Sequence, residues 1–307
     1  MAAPEHGRVA VVMGGAGAER EVSLDGGRDV LAALVAAGVD ARGVDGIPAL
    51  LEQIAAGSVD RVFNLLHGRM GEDGTLQGAL ECLGVPVTGS GVLGSAASLD
   101  KALSKRVWRD CGLPTADFRV LGPADDAASA AAALGFPLVV KPVSEGSSVG
   151  VTIVRAPEGF AAAVAAARSC EDRILVEAFV AGAEYTVGLL QGEPLPVIRI
   201  EPNRDFYDYA AKYESDGTAY HCPSGLTAAD EERLQSLALD AFAALCCEGW
   251  GRVDFLGAGS DVRLLEINTT PGMTSHSLVP KAAGAAGIGF EALCLRILET
   301  SHREARV

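Results

Sequence analysis

The tightest constraint on the fold lies in residues 1 to about 90, where strand-length apolar runs alternate with longer segments of helical apolar spacing. Arg8 to Met13 reads as a buried strand ending at Gly14-Gly15. Val22 to Ala37 places Val22, Val30, Leu31, Leu34 and Val35 at helical spacing and stops at Gly38, which tolerates the left-handed backbone that ends a helix. Arg61 to Leu66 reads as a second strand, Gly74 to Leu83 as a second helix and Val85 to Thr88 as a short third strand. Strand, helix, strand, helix in this order predicts a βαβα unit around a parallel sheet.

Further along the pattern changes. Asp100 to Cys111 is a helix closed by Gly112, and from Phe118 onward strands come in adjacent pairs. Phe136–Pro142 and Val151–Val154 flank a Gly/Ser loop at Glu145–Gly150, and a helix over Glu158–Arg168 leads to a strand over Arg173–Glu177. Glu184–Leu190 and Leu195–Glu201 are split by Gln191-Gly192, a hairpin signal. Asn203 to Tyr220 is aromatic, polar and aperiodic, and reads as a long loop of the kind used as a lid. A helix over Thr227–Cys247, a second antiparallel pair at Trp250–Leu256 and Val262–Ile267, and two closing helices complete the chain.

Composition removes several function classes. The formal charge of −15 over 307 residues argues against a broad nucleic-acid surface, which needs clustered cations. No apolar run approaches a membrane span. The N-terminal apolar stretch, Val9–Met13, follows Glu5 and has no basic leader, so a cytoplasmic protein is expected. Seven cysteines without a CxxC pair fit free thiols in a reducing compartment. Only five of the 25 cations are lysines (101, 105, 141, 212 and 281), which raises the question of where a compact ammonium is required.

Two loops resemble familiar motifs without their context. Gly15 to Arg20 follows a strand but lacks the third glycine of a dinucleotide-binding turn, and no Gly-Lys dipeptide exists for a Walker loop. Gly146-Ser147-Ser148-Val149-Gly150 matches the nucleophile-elbow spacing, yet a strand follows it where the elbow needs a helix. A hairpin tip rich in N–H and hydroxyl donors suits phosphate better. Lys141 stands immediately before that loop, and Lys101 at the start of a helix is a possible second phosphate ligand. Strand alternation puts Arg252 with Asp254, and Glu266 with Asn268, on one face of each late strand. If the strands pair, two carboxylates and an amide converge, a hard-oxygen set suited to Mg²⁺. The donor-rich segment Pro271 to Leu278 then enters a helix and is able to bind a carboxylate. Phosphate, metal and carboxylate together point to carboxylate activation by phosphorylation.

With these motifs in place, the chain resembles the D-alanine–D-alanine ligase family, ATP-grasp enzymes of peptidoglycan (cell wall) precursor synthesis. The carriers are Ala18 to Leu24, Leu66-His67-Gly68-Arg69 with Gly71-Glu72-Asp73-Gly74, Lys141-Pro142 with Glu145 to Gly150, and Phe206 to Tyr209 with Lys212-Tyr213. Gly249 to Asp254 and Glu266 to Thr274 complete the ordered set. The resemblance implies an α/β ATP-grasp architecture in three parts: an N-terminal Rossmann-like parallel-sheet domain at 1–95, a central α+β domain at 96–182, and a C-terminal mixed α/β domain at 183–307. The last would carry the metal site and a lid at about 203–220. It also implies a cytoplasmic homodimer.

Residue by residue, the resemblance implies that Lys101, Lys141 and Ser148 bind ATP phosphates, and that Glu177 and Glu184 hold adenine and ribose, with Phe179 and Val180 near the purine. Asp254, Glu266 and Asn268 would hold two Mg²⁺ (or Mn²⁺) ions. Glu19 would anchor the first D-alanine with His67 nearby, while Arg252 and the Gly272 N–H would stabilise the oxyanion. Ser277 and Leu278 would receive the second D-alanine, and the lid would bring Lys212 to the γ-phosphate and Tyr213 to a Glu19–Ser147 hydrogen-bond set. The Lys-Tyr pair implies dipeptide formation; the alternative is a related ligase making a D-serine or D-lactate product. One departure is Ala16-Gly17, where the family usually carries Ser or Thr.

Overall fold

Three sheets organise the chain in the computed structural model, which describes residues 6–17, 19–202, 217–259 and 261–301. In the first, β1 (Val9–Met13) lies between β2 (Ala41–Asp45) and β3 (Arg61–Asn64), all parallel. Every residue of β1 is buried, which is why it reads as an unbroken apolar run. Helix Arg20–Ala36 makes the crossover from β1 to β2.

The sequence reading passes over β2 and the following helix, Gly46–Ala55. Only Val44 is buried in β2, an edge strand, so it shows neither an apolar run nor alternation. Val85–Thr88 is also corrected: it contributes only an isolated parallel bridge, Val62 to Val87. Helix Val92–Leu99 is a further addition.

The second sheet is antiparallel, in the order β4 (Phe118–Leu121), β7 (Ile174–Ala178), β5 (Leu138–Pro142) and β6 (Thr152–Val154). Its apolar face is covered by helices Ala127–Leu134 and Phe160–Cys170. The β5–β6 connection is the Gly/Ser loop, so the geometry presents that loop at one end of the sheet.

The third sheet runs β11 (Ala219–His221), β10 (Ile198–Glu201), β8 (Ala183–Leu190), β12 (Trp250–Ala258) and β13 (Asp261–Asn268), with β9 (Glu193–Pro194) also on β8. Gln191 and Gly192 both take positive φ, 54° and 81°, as a tight hairpin turn demands. The reading of 203–220 as loop is corrected at its end, where Ala219–His221 pairs with β10; three residues are too few to show a period. Helix Ala228–Ala244 covers one face of the sheet, burying Val253, Phe255, Leu264 and Ile267 against Leu234, Ala238 and Ala241. Closing helices Leu278–Ala285 and Phe290–Glu299 share a core with β1, β8 and helix Arg20–Ala36.

The β12–β13 register decides the site. Arg252 lies opposite Asn268 and Asp254 opposite Glu266, so all four share one face. A bulge follows, because Phe255 pairs with Leu264 rather than Leu265. Strict alternation places Leu265 in the core; the extra residue instead turns it into a cavity lining.

Candidate active site

Two adjoining cavities receive most of the residues singled out from sequence. The larger, of about 770 Å³, is lined by Glu19, His67, Ser147, Arg252, Asn268, Gly272, Ser277 and Leu278. The smaller, of about 490 Å³, is lined by Lys141, Ser148, Glu177, Phe179, Val180 and Glu184. Lys101 and Glu266 line both and mark the junction.

In the larger cavity Glu19 stands at the N-terminus of helix Arg20–Ala36, where the helix dipole favours a carboxylate. Ser147 donates its hydroxyl to Glu19 Oε1. A Cβ on Gly146 would lie 3.4 Å from Glu19 Oε2, so the Gly/Ser loop is closely apposed to this carboxylate. Ser147 and Ser148 hold φ of 49° and 61°, uncommon for residues with a side chain and often found at functional turns. That turn sends consecutive serines to different cavities.

Opposite this loop, Thr274 N–H donates to Ser277 Oγ at 3.0 Å, fixing the turn ahead of helix Leu278–Ala285. The Leu278 side chain is buried in the core, so a ligand there would meet backbone N–H groups. Gly26 lets the turn seat on helix Arg20–Ala36: a Cβ there would come within 3.3 Å of Met273 N.

Around the junction, Lys101 Nζ donates to the Glu145 carbonyl at 2.8 Å and lies 3.4 Å from Glu266 Oε2. Behind it, Glu177 is clamped by two ammonium groups, with Lys141 Nζ 2.5 Å from Oε1 and Lys105 Nζ 2.9 Å from Oε2. Burial alone would raise the Glu177 carboxyl, but Lys105 and then Lys141 outweigh it and hold it at about 2. Three of the five lysines are therefore buried in one region.

Asp254 is 2% exposed and lines neither cavity. Its oxygens accept from Arg252 Nε at 2.9 Å, Arg252 Nη2 at 2.8 Å, Thr186 Oγ1 at 2.6 Å and Asn268 Nδ2 at 3.1 Å. Two carboxylates and an amide on one face, beside cations that balance them, have the donor chemistry for Mg²⁺ or Mn²⁺. Asn268 Nδ2 is turned onto Asp254, which leaves its carbonyl oxygen facing elsewhere.

Sequence reasoning missed Lys105, Thr186 and Glu72. Burial and then the Glu19 charge push Glu72 up to about 8, against hydrogen bonds from the Gly68 and Thr270 backbone. The Gly68 N–H donates to Glu72 Oε2 at 2.6 Å. Burial likewise pushes the His67 imidazole down, with Glu19 and a Thr270 backbone hydrogen bond opposing. Lysine scarcity was the available signal for Lys105; Glu72 sat unremarked in Gly71-Glu72-Asp73-Gly74. Lys212 and Tyr213, assigned to the lid, lie outside the described residues.

Comparison with known proteins bears on this geometry. Residues 107–299 match the family model described as D-ala D-ala ligase C-terminus, and residues 46–90 the one described as D-ala D-ala ligase N-terminus. The chain belongs to the D-alanine–D-alanine ligase family. This family member is 52% identical to D-alanine–D-alanine ligase of Laribacter hongkongensis, over 96% of each chain. It is 50% identical to D-alanine–D-alanine ligase B of Chromobacterium violaceum, over 97% of this chain and 99% of that one. Crystal structures of D-alanine–D-alanine ligase from Bacillus anthracis superpose with a TM-score of 0.85 at 35% identity, and 0.84 at 33% identity for its complex with ATP. Each superposition covers 96% of this chain and 97% of the other. These matches establish the ATP-grasp ligase architecture expected from the sequence.

Proposed function

We propose that this chain joins two D-alanines into D-alanyl-D-alanine, driven by ATP, for peptidoglycan precursor synthesis. The observation that carries the reading is the junction: Lys101 and Glu266 line both a cavity suited to nucleotide and one suited to amino acid. A phosphate at the end of the smaller cavity would meet a carboxylate in the larger one there.

In this reading the adenine and ribose lie among Phe179, Val180, Glu177 and Glu184, with phosphates at Lys101, Lys141 and Ser148. Glu19 holds the ammonium of the first D-alanine, and Ser147 fixes the Glu19 carboxylate through its hydroxyl. The carboxylate oxygen of the first D-alanine takes the γ-phosphoryl group, giving an acyl phosphate and ADP. The amine of the second D-alanine, its carboxylate at the Ser277–Leu278 turn, attacks the carbonyl carbon. The tetrahedral intermediate expels phosphate and the amide bond is made. Arg252 and the Gly272 N–H face the developing oxyanion, a role worth about 3–4 kcal/mol per donor. Asp254, Glu266 and Asn268 would hold Mg²⁺, which supplies charge neutralisation to the phosphate oxygens. An acyl phosphate must be kept from water, and Lys212 and Tyr213 are assigned to the covering segment.

The names of the relatives favour the dipeptide over a D-serine or D-lactate product. The reading takes the protein as a cytoplasmic homodimer; among the described residues no single helix is long and apolar enough to cross a membrane. The test is phosphate release with product mass spectrometry on D-alanine, D-serine and D-lactate. ATP-dependent D-alanyl-D-alanine is expected, and phosphate release no faster with D-alanine than without an acceptor overturns the proposal.

A further inference from the structure

Lys105 takes no part in the chemistry above, yet its side chain is fully buried in the wall of the smaller cavity. Its Nζ lies 2.9 Å from Glu177 Oε2, donates to Thr115 Oγ1 at 2.7 Å, and stands 5.8 Å from the centre of the Phe118 ring. The Thr115 hydroxyl donates to the Leu264 carbonyl at 3.2 Å, so its lone pairs are left for the ammonium. Lys105 is thus tied to β13 through Thr115. Lys141, on the other oxygen of Glu177, ends β5 beside the Gly/Ser loop.

One buried carboxylate therefore sits between two buried lysines, and burial pushes the Lys105 ammonium down while Glu177, and after it Asp117, hold its proton in place. A structural ion pair needs only one of them, and an unbalanced buried cation is costly. The arrangement makes sense when an anion arrives. A nucleotide phosphate draws Lys141 away, and the remaining Lys105–Glu177 pair is neutral. Without Lys105, Glu177 would be left buried without a counterion once Lys141 turned to the phosphates, and would take up a proton.

We propose that Lys105 is a positioning and specificity-determining residue: it keeps Glu177 a carboxylate able to accept from the exocyclic amine of adenine while Lys141 transfers to the phosphates. The proposal rests on the nucleotide placement in the preceding section. The low position of the Glu177 carboxyl, about 2, agrees with it. A purine with a carbonyl in place of that amine would face carboxylate oxygen with oxygen, so a charged Glu177 rejects it and a protonated one does not.

The test is calorimetric binding of ATP and of inosine triphosphate to the full-length protein and to Lys105→Met. Wild type is expected to prefer ATP. In Lys105→Met, ATP affinity is expected to fall about 10- to 100-fold and the ATP:ITP preference to approach one. In a Glu177→Gln background, adding Lys105→Met should change that preference by less than about twofold, because both act through one carboxylate. Thr115→Val, which only loosens the ammonium, should shift the preference in the same direction and serves if Lys105→Met does not fold. Equal weakening of both nucleotides, with the preference intact, would mean that Lys105 is merely structural and would overturn the proposal. An unchanged preference in Glu177→Gln would instead overturn the placement of adenine itself.

Discussion

Asp254→Asn probes the face on which the late strands meet. The native carboxylate accepts four hydrogen bonds, two of them from the Arg252 guanidinium, and is 2% exposed. Asparagine keeps the shape but loses the charge and replaces one acceptor by an NH₂ group. Whichever way the amide turns, that NH₂ faces two donors: either Arg252 Nε with Thr186 Oγ1, or Arg252 Nη2 with Asn268 Nδ2. Breaking a buried ion pair costs roughly 3–5 kcal/mol. The Arg252 side chain is 14% exposed and keeps some hydration, so the lower end, about 3 kcal/mol, is expected. A loss of that size leaves a protein of ordinary stability, about 5–15 kcal/mol, folded.

The effect on turnover should be larger. Arg252 released from its fork no longer aims at the oxyanion, and one such donor is worth about 10²- to 10³-fold in kcat. Loss of a charged metal ligand adds to this. Urea denaturation followed by circular dichroism reads the first number, and phosphate release at saturating D-alanine and Mg²⁺ reads the second. A variant with an unchanged urea midpoint and kcat within about tenfold of wild type would refute the role given to this face.

Glu72 supplies a pH signature. Its pKa is about 8 against an ordinary 4.5, so between those values the native protein holds a proton that the unfolded chain has released. Its contribution to stability is complete below about 4.5 and is lost as pH rises through about 8. The urea midpoint should fall across that window in wild type and fall less in Glu72→Gln; equal slopes would reject the assignment. Ser147→Ala removes the hydroxyl donated to Glu19 and should raise KM for D-alanine about tenfold with little change for ATP, as steady-state kinetics would show. Gly26→Ala puts a Cβ 3.3 Å from Met273 N, displacing the Pro271–Met273 turn. It should lower kcat with D-alanine by about tenfold or more while calorimetric ATP affinity holds.

The shared face of β12 and β13 was legible because Arg252-Val253-Asp254 and Glu266-Ile267-Asn268 each alternate polar with apolar, and alternation dictates faces. The bulge opposite Asp254 and Phe255 left one mark, the Leu264-Leu265 doublet that breaks the alternation of Asp261–Asn268, but a doublet does not say which leucine faces the core. Edge strand β2 escaped because a strand that buries only Val44 carries no period. The Gly/Ser loop was legible through its strand-loop-strand context, which removed the hydrolase reading of Ser148. The Glu177 clamp was not, because Lys105 and Lys141 come from a helix and a distant strand that only the fold brings together. Glu72 shows the same limit: its raised pKa arises from burial beside Glu19, a neighbour set by loop packing and not by spacing.

The proposed chemistry asks a chain of formal charge −15 to bind a polyphosphate, and the structure shows how this is reconciled. Surface charges act through water and salt and are largely screened beyond about 10 Å at roughly 0.1 M ionic strength. Inside the smaller cavity, Lys101, Lys105 and Lys141 are all buried, where screening is weak and each charge counts for more. Lysine suits the position better than the arginine used elsewhere, because a single ammonium is able to move from one oxygen to another without surrendering a bidentate fork. Arg252 does the opposite work, locked two-pronged on Asp254 where a fixed direction is needed. The division of labour between the two cations follows from this: ammonium groups where charge is exchanged with an arriving ligand, guanidinium where a donor must stay aimed.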